Sequence, residues 1–233
     1  MQEIFPGLYV ITRTATNCYL IESAPDELIL IDAGLPGMTG FIARELAKRG
    51  YHLQQIKHII ITHADIDHIG SLAKLAQKTG ATVHASEESA PYIHNASAPP
   101  HVPAPMRALT GFLQKSAQVD ETFSDQHTLP FVGGIRALHV PGHTPENYNL
   151  FWEREGVLFA ADLFFTLTHQ VTLSPRLITW DHDALLASAR KALDLAPRYI
   201  CAGHGAPVNV QQAPERLNAL RRQLEGRSTF AAT

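Results

Sequence analysis

Within the run Thr62-His63-Ala64-Asp65-Ile66-Asp67-His68-Ile69-Gly70, four side chains able to ligate a divalent cation fall inside six residues. A neutral imidazole offers a nitrogen lone pair and a carboxylate an anionic oxygen, and the mixture suits zinc, manganese or iron. The run lies where a β-rich stretch gives way to helical spacing, so a loop there can turn these side chains toward one point. Three further candidates stand alone: His143 in Val140-Pro-Gly-His-Thr-Pro145, Asp162 after Val157-Leu-Phe-Ala-Ala161, and His204 in Ala202-Gly-His-Gly205. Each is expected to follow the end of a strand, where α/β proteins place their sites. His63, Asp65, Asp67, His68, His143, Asp162 and His204 together are enough ligands for two cations.

The elements that must position them alternate along the chain. Leu8 to Thr12, Asn17 to Ile21 and Leu28 to Ile31 are short β-rich runs, the last closed by Asp32-Ala-Gly34. Helical spacing over Thr39 to Arg49 stops at Gly50. His58 to Thr62 predicts a buried strand, residues 63–68 a polar loop, 69–78 a helix stopped by Gly80, and Thr82 to Ala85 a strand. Between Glu87 and Thr128, Pro91, Pro99, Pro100, Pro103 and Pro105 interrupt regular structure, with a helix expected near 106–115. So long a break in a single domain reads as a cap or partner-contacting insertion. Strands follow at 134–140, 148–152 and 157–160, a helix at 183–195, a strand at 199–202 and a closing helix at 214–224, with a frayed tail after Gly226. Alternating strands and helices in two halves predict an α/β sandwich.

The 233 residues suffice for one α/β core without staples. Nineteen basic against 22 acidic residues offer no general field for nucleic acid or an anionic membrane. The longest apolar runs are strand-sized, well below the roughly 20 residues of a membrane span, and Met1 to Gly7 has no basic, apolar leader pattern. A cytoplasmic location is the expectation. Cys18 and Cys201 fall in strand-like runs, where cysteines usually pack. Of 13 histidines, His52, His58, His94, His101, His127, His139, His169 and His182 lack ligand-like neighbours in sequence and are assigned surface or structural roles, as is His84.

The order His63-x-Asp65-x-Asp67-His68, then His143, Asp162 and His204, with Asp32-Ala-Gly34 and Pro141-Gly-His-Thr144, resembles the metallo-β-lactamase-fold superfamily from Leu8 to Gly205. The resemblance implies an αββα sandwich with a dinuclear site. By position, His63, Asp65 and His143 would hold one metal and Asp67, His68 and His204 the other. Asp162 would bridge them, and Asp67 would also orient the attacking water. The expected cofactors are two divalent ions, zinc first. Asp65 stands where the family pattern has a second His, and this harder anionic ligand favours manganese or iron at the first site. Asp32 and Thr62 are candidates to fix imidazole tautomers.

The activity so implied is hydrolysis of a small ester, thioester, lactone or lactam. Asn17 and the His143 turn favour a glyoxalase II-like thioester reaction. Pro145-Glu-Asn147 in place of Gly-His, and the 29 residues after His204, speak against it. The alternative is a non-haem diiron oxidoreductase of the same fold, favoured by the carboxylate at Asp65. A small-molecule substrate and a homodimer through the Pro-rich insertion complete the expectations.

Overall fold

The structure, a computed structural model, describes residues 1–99 and 101–225. It divides into two compact units, the first running from Met1 to Ser124 and the second beginning at Asp125.

The first unit opens with β1 (Gln2–Phe5), β2 (Leu8–Arg13), β3 (Thr16–Ala24), β4 (Glu27–Ile31) and α1 (Thr39–Ala47). There follow β5 (Ile56–Ile60), α2 (Ile66–Ile69), α3 (Leu72–Thr79), β6 (Thr82–Ser86), α4 (Ala90–His94), α5 (Ala104–Leu113) and β7 (Glu121–Phe123). Strands β1 to β4 pair antiparallel in sequence order, and β4 to β7 continue the sheet in parallel. The parallel strands read as unbroken apolar runs, Leu28-Ile-Leu-Ile31 and Ile59-Ile-Ile61, because both faces of such a sheet are covered. Ile42 and Leu46 of α1 and Leu72 and Leu75 of α3 pack on that core.

Two details of this unit differ from expectation. The loop at 63–68 is shorter than its sequence suggests, since Asp67 and His68 already lie in α2; the helical stretch breaks at Gly70 and Ser71 before α3 starts. The Pro-rich segment is also less irregular than its prolines imply. Pro91 and Pro105 sit in the first turns of α4 and α5, where a missing N–H costs nothing, and β7 rejoins the sheet.

The second unit contains β8 (Thr128–Leu129), β9 (Ile135–His139), β10 (Tyr148–Trp152), β11 (Val157–Thr166), β12 (Thr172–Leu173), α6 (His182–Leu193), β13 (Tyr199–Gly205), β14 (Val208–Asn209) and α7 (Asn218–Glu225). Strands β8 to β11 form an antiparallel meander, and β13 joins β11 in parallel. Leu185, Leu186 and Ala189 of α6 and Leu220 and Leu224 of α7 share a core with β11 and β13. Asp181 caps α6 by accepting from the N–H groups of Asp183 and Ala184 at 2.9 and 3.0 Å.

Asp162 and His204 do not follow their strands, as the sequence suggested, but lie within them. The β11–β13 register shifts on both sides of Ala161, which takes a left-handed φ of 44°. Such a bulge re-aims the next side chain without ending the strand, and Asp162 is that residue. The tail after Gly226 lies outside the described residues. No helix among the described residues is long and apolar enough to cross a membrane.

Candidate metal centre

In the first unit, β4 and β5 end side by side and their loops build the ligand run. The Asp32 N–H donates to Ile60 O at 2.9 Å, and Ala33 N–H to His68 O at 2.7 Å, so the two loops are fastened through main chain. Gly70 makes this approach possible: a Cβ there would sit 2.3 Å from Pro36 Cδ and 2.4 Å from Ile66 O.

His63 and His68 are fully buried, with ring centroids 4.0 Å apart. Both are held from behind. His68 Nδ1 lies 2.8 Å from Asp32 Oδ2. His63 Nδ1 lies 3.1 Å from Thr62 Oγ1, whose hydroxyl reaches Asp32 Oδ2 at 2.9 Å, while Thr62 N–H donates to Asp32 Oδ1 at 2.9 Å. One buried carboxylate therefore anchors both imidazoles through their Nδ1–H groups, the tuning role expected of Asp32 and Thr62. The Nε2 atoms turn toward carboxylates, His63 to Asp65 Oδ2 and His68 to Asp67 Oδ2, each at 3.8 Å.

In the second unit, His143 follows β9 on a turn whose carbonyls are occupied by the lead-in to α6: Trp180 N–H donates to His143 O and Asp181 N–H to Gly142 O. His143 Nδ1 lies 3.1 Å from Ser174 Oγ. Its Nε2 is 3.5 Å from Oδ2 of the buried Asp162, and His204 Nε2 is 3.0 Å from the same oxygen. The His204 ring stacks on Phe165 at 4.8 Å.

All four imidazoles thus present Nε2, and the carboxylates beside them present Oδ2. Two ligand atoms at zinc-like distances on one tetrahedral ion stand about 3.4 Å apart, and the observed separations of 3.0 to 3.8 Å bracket that value. The donor chemistry fits divalent metal. Cys18 and Cys201 are fully buried, and burial pushes their thiols well above the ordinary range, away from the reactive thiolate.

One neighbour was not legible in the sequence. His101, assigned to the background histidines, lies between α4 and α5 with Nε2 3.0 Å from Asp65 Oδ1. His84, by contrast, meets His58 of the adjacent strand at 3.0 Å.

The fold and the donor set define a metal-binding α/β protein of metallo-β-lactamase type. Residues 11–204 match the metallo-beta-lactamase superfamily, and the chain belongs to it. It is 27% identical to the probable metallo-hydrolase YflN of Bacillus subtilis (strain 168), across 95% of this chain and 92% of that protein. It is also 27% identical to the hydroxyacylglutathione hydrolase GloC of Haemophilus influenzae, across 90% and 93%. A solved metallo-beta-lactamase family protein of Thermus thermophilus superposes with a TM-score of 0.68 at 25% identity, covering 99% of this chain and 85% of that one. The chain is a hydrolase, and its fold implies divalent metal.

Proposed function

We propose that this chain is a dinuclear metal-dependent hydrolase of a small acyl substrate, with a thioester favoured. His63, Asp65 and His143 would hold one cation, Asp67, His68 and His204 the other, and Asp162 would bridge. The observation that carries the reading is the position of Asp162 Oδ2, within 3.0 Å of His204 Nε2 and 3.5 Å of His143 Nε2. One oxygen faces two imidazoles that the assignment gives to different cations.

When bound, such a cation pair supplies an acidified water and polarises a scissile carbonyl. The protein does the rest. Asp32, Thr62 and Ser174 hold the Nδ1 protons of His68, His63 and His143, so that each of these three rings keeps an Nε2 lone pair for metal. Asp67, whose side chain is 26% exposed, is the ligand best able to meet solvent. Its carboxylate orients the attacking water, takes its proton and delivers it to the leaving group. The exposed Leu109, Phe112 and Leu113 of α5 support a contact role for the insertion, either as an apolar wall for substrate or against a second copy. The free, buried cysteines accord with a reducing, cytoplasmic location.

Support for a thioester comes from the hydroxyacylglutathione hydrolase relative. The shortness of the chain after His204 carries no weight against that chemistry, since the alignment spans 93% of that protein. The carboxylate at Asp65 favours a second reading, a diiron redox enzyme.

The test is metal analysis of purified protein beside thioester, lactone, β-lactam and phosphodiester substrates, with oxygen uptake followed in parallel. About two metals per chain and thioester turnover are expected, with both metals depleted in Asp162→Ala. No more than one metal under saturating conditions overturns the dinuclear reading, and iron with oxygen uptake in place of hydrolysis establishes the second one.

A further inference from the structure

We propose that His101 is a positioning residue of the first metal site, through which the Pro-rich insertion becomes part of that site. The inference rests on the reading of Asp65 as a ligand. An imidazole ligand held at Nδ1 has one lone pair and one direction. A carboxylate has two oxygens, and rotation about its Cβ–Cγ bond exchanges them, so a lone aspartate in that place leaves its aim undecided. His101 decides it. Its Nε2–H donates to Asp65 Oδ1 at 3.0 Å, and the other oxygen, Oδ2, is the one turned toward His63 Nε2.

The partner is not incidental. The His101 side chain is 8% exposed and Asp65's is 16%, so water competes little for the contact. Thirty-six residues separate the two, so the bond ties the α4–α5 connection to the ligand loop. Asp65 is also the N-cap residue of α2, yet its side chain makes no capping bond there; only its carbonyl accepts, from the His68 and Ile69 N–H groups. The carboxylate is committed to the site side and not to the helix. The bond occupies Oδ1, would leave Oδ2 to serve a cation, and draws off part of the added negative charge, which compensates for the imidazole the family pattern has at this position.

The experiment uses the full chain, stripped of metal and titrated with Co²⁺ against a chromophoric chelator, as wild type, Asp65→Ala, His101→Leu and His101→Gln. The Co²⁺ absorption spectrum supplies a ligand-field signature for each site. His101→Leu should weaken one of two binding steps about 10- to 100-fold, the usual effect of losing an outer hydrogen bond to a ligand, and leave the other step and metal-free unfolding unchanged. His101→Gln, which restores a donor N–H, should recover most of the affinity and the wild-type spectrum. His101→Met, similar in length and without a donor, replaces the Leu variant if that one does not fold. Wild-type affinity and spectrum in the apolar variant that folds, with one step lost in Asp65→Ala, would overturn the inference and leave the Asp65 reading intact. Two unchanged steps in Asp65→Ala would overturn that reading, and the role of His101 with it.

Discussion

Asp32 Oδ2 lies 2.8 Å from His68 Nδ1 and 2.9 Å from Thr62 Oγ1, which in turn meets His63 Nδ1. Asp32 is 4% exposed and adopts a left-handed φ of 60°, a conformation aspartate and asparagine tolerate better than most residues. Asp32→Asn therefore keeps the backbone while removing the charge and one acceptor. It should weaken metal binding about 10- to 100-fold at both sites, because both imidazoles lose their anchor. Thr62→Val should weaken only the site that uses His63. Chelator competition on the two variants separates these outcomes.

The Asp65 ligand assignment predicts an exchange of metal preference. Asp65→His should restore the commoner ligand set and shift preference from manganese or iron toward zinc. Asp65→Ala should empty one site, with a fall in turnover of about 100-fold or more if two cations are required, on the order of 3 kcal/mol in barrier. Metal content and rate, measured after separate reconstitution with each metal, check both statements.

The turn carrying His143 depends on Gly142. Its φ is 145°, and a Cβ there would fall 2.4 Å from Leu185 Cα and 2.5 Å from Leu185 N, inside α6. Gly142→Ala should combine backbone strain and overpacking, each costing roughly 1–3 kcal/mol. Denaturant unfolding should register the loss, and the affinity of the site using His143 should fall with it.

A pH dependence of stability follows from a histidine pair outside the candidate ligand groups. His58 Nδ1 and His84 Nε2 are 3.0 Å apart on β5 and β6, with Glu27 3.7 Å from His58 and Glu121 3.3 Å from His84. Burial pushes both imidazoles below their ordinary pKa, with the glutamates opposing it in part. In the unfolded chain each titrates near about 6.5. As pH falls through that value, the unfolded state takes up protons that the folded state resists, so stability is present above about pH 6.5 and declines below it. The unfolding midpoint of the metal-free chain should fall on acidification, and less steeply in His84→Gln than in wild type.

The sequence by itself determined the candidate ligand types and the fold class, because both are written locally. The run from His63 to His68 needs only one loop between a strand and a helix, and unbroken apolar runs such as Leu28 to Ile31 announce buried parallel strands. Asp32 and Thr62 were legible as tuning residues for the same reason: they close the strands that precede the ligand loop.

Tertiary structure decided what depends on contacts between distant segments. Pairing with β13 carries β11 past Asp162 to Thr166, through a bulge at Ala161 that no spacing in Val157 to Ala161 records. His101 looked idle because its neighbours in sequence are prolines and small residues. It meets Asp65 only because the α4–α5 connection returns to the ligand loop, and a hydrogen bond across 36 residues leaves no periodic trace in the chain. Local spacing fixes which atoms can ligate; the aim of a rotatable carboxylate depends on a partner that only the folded chain supplies.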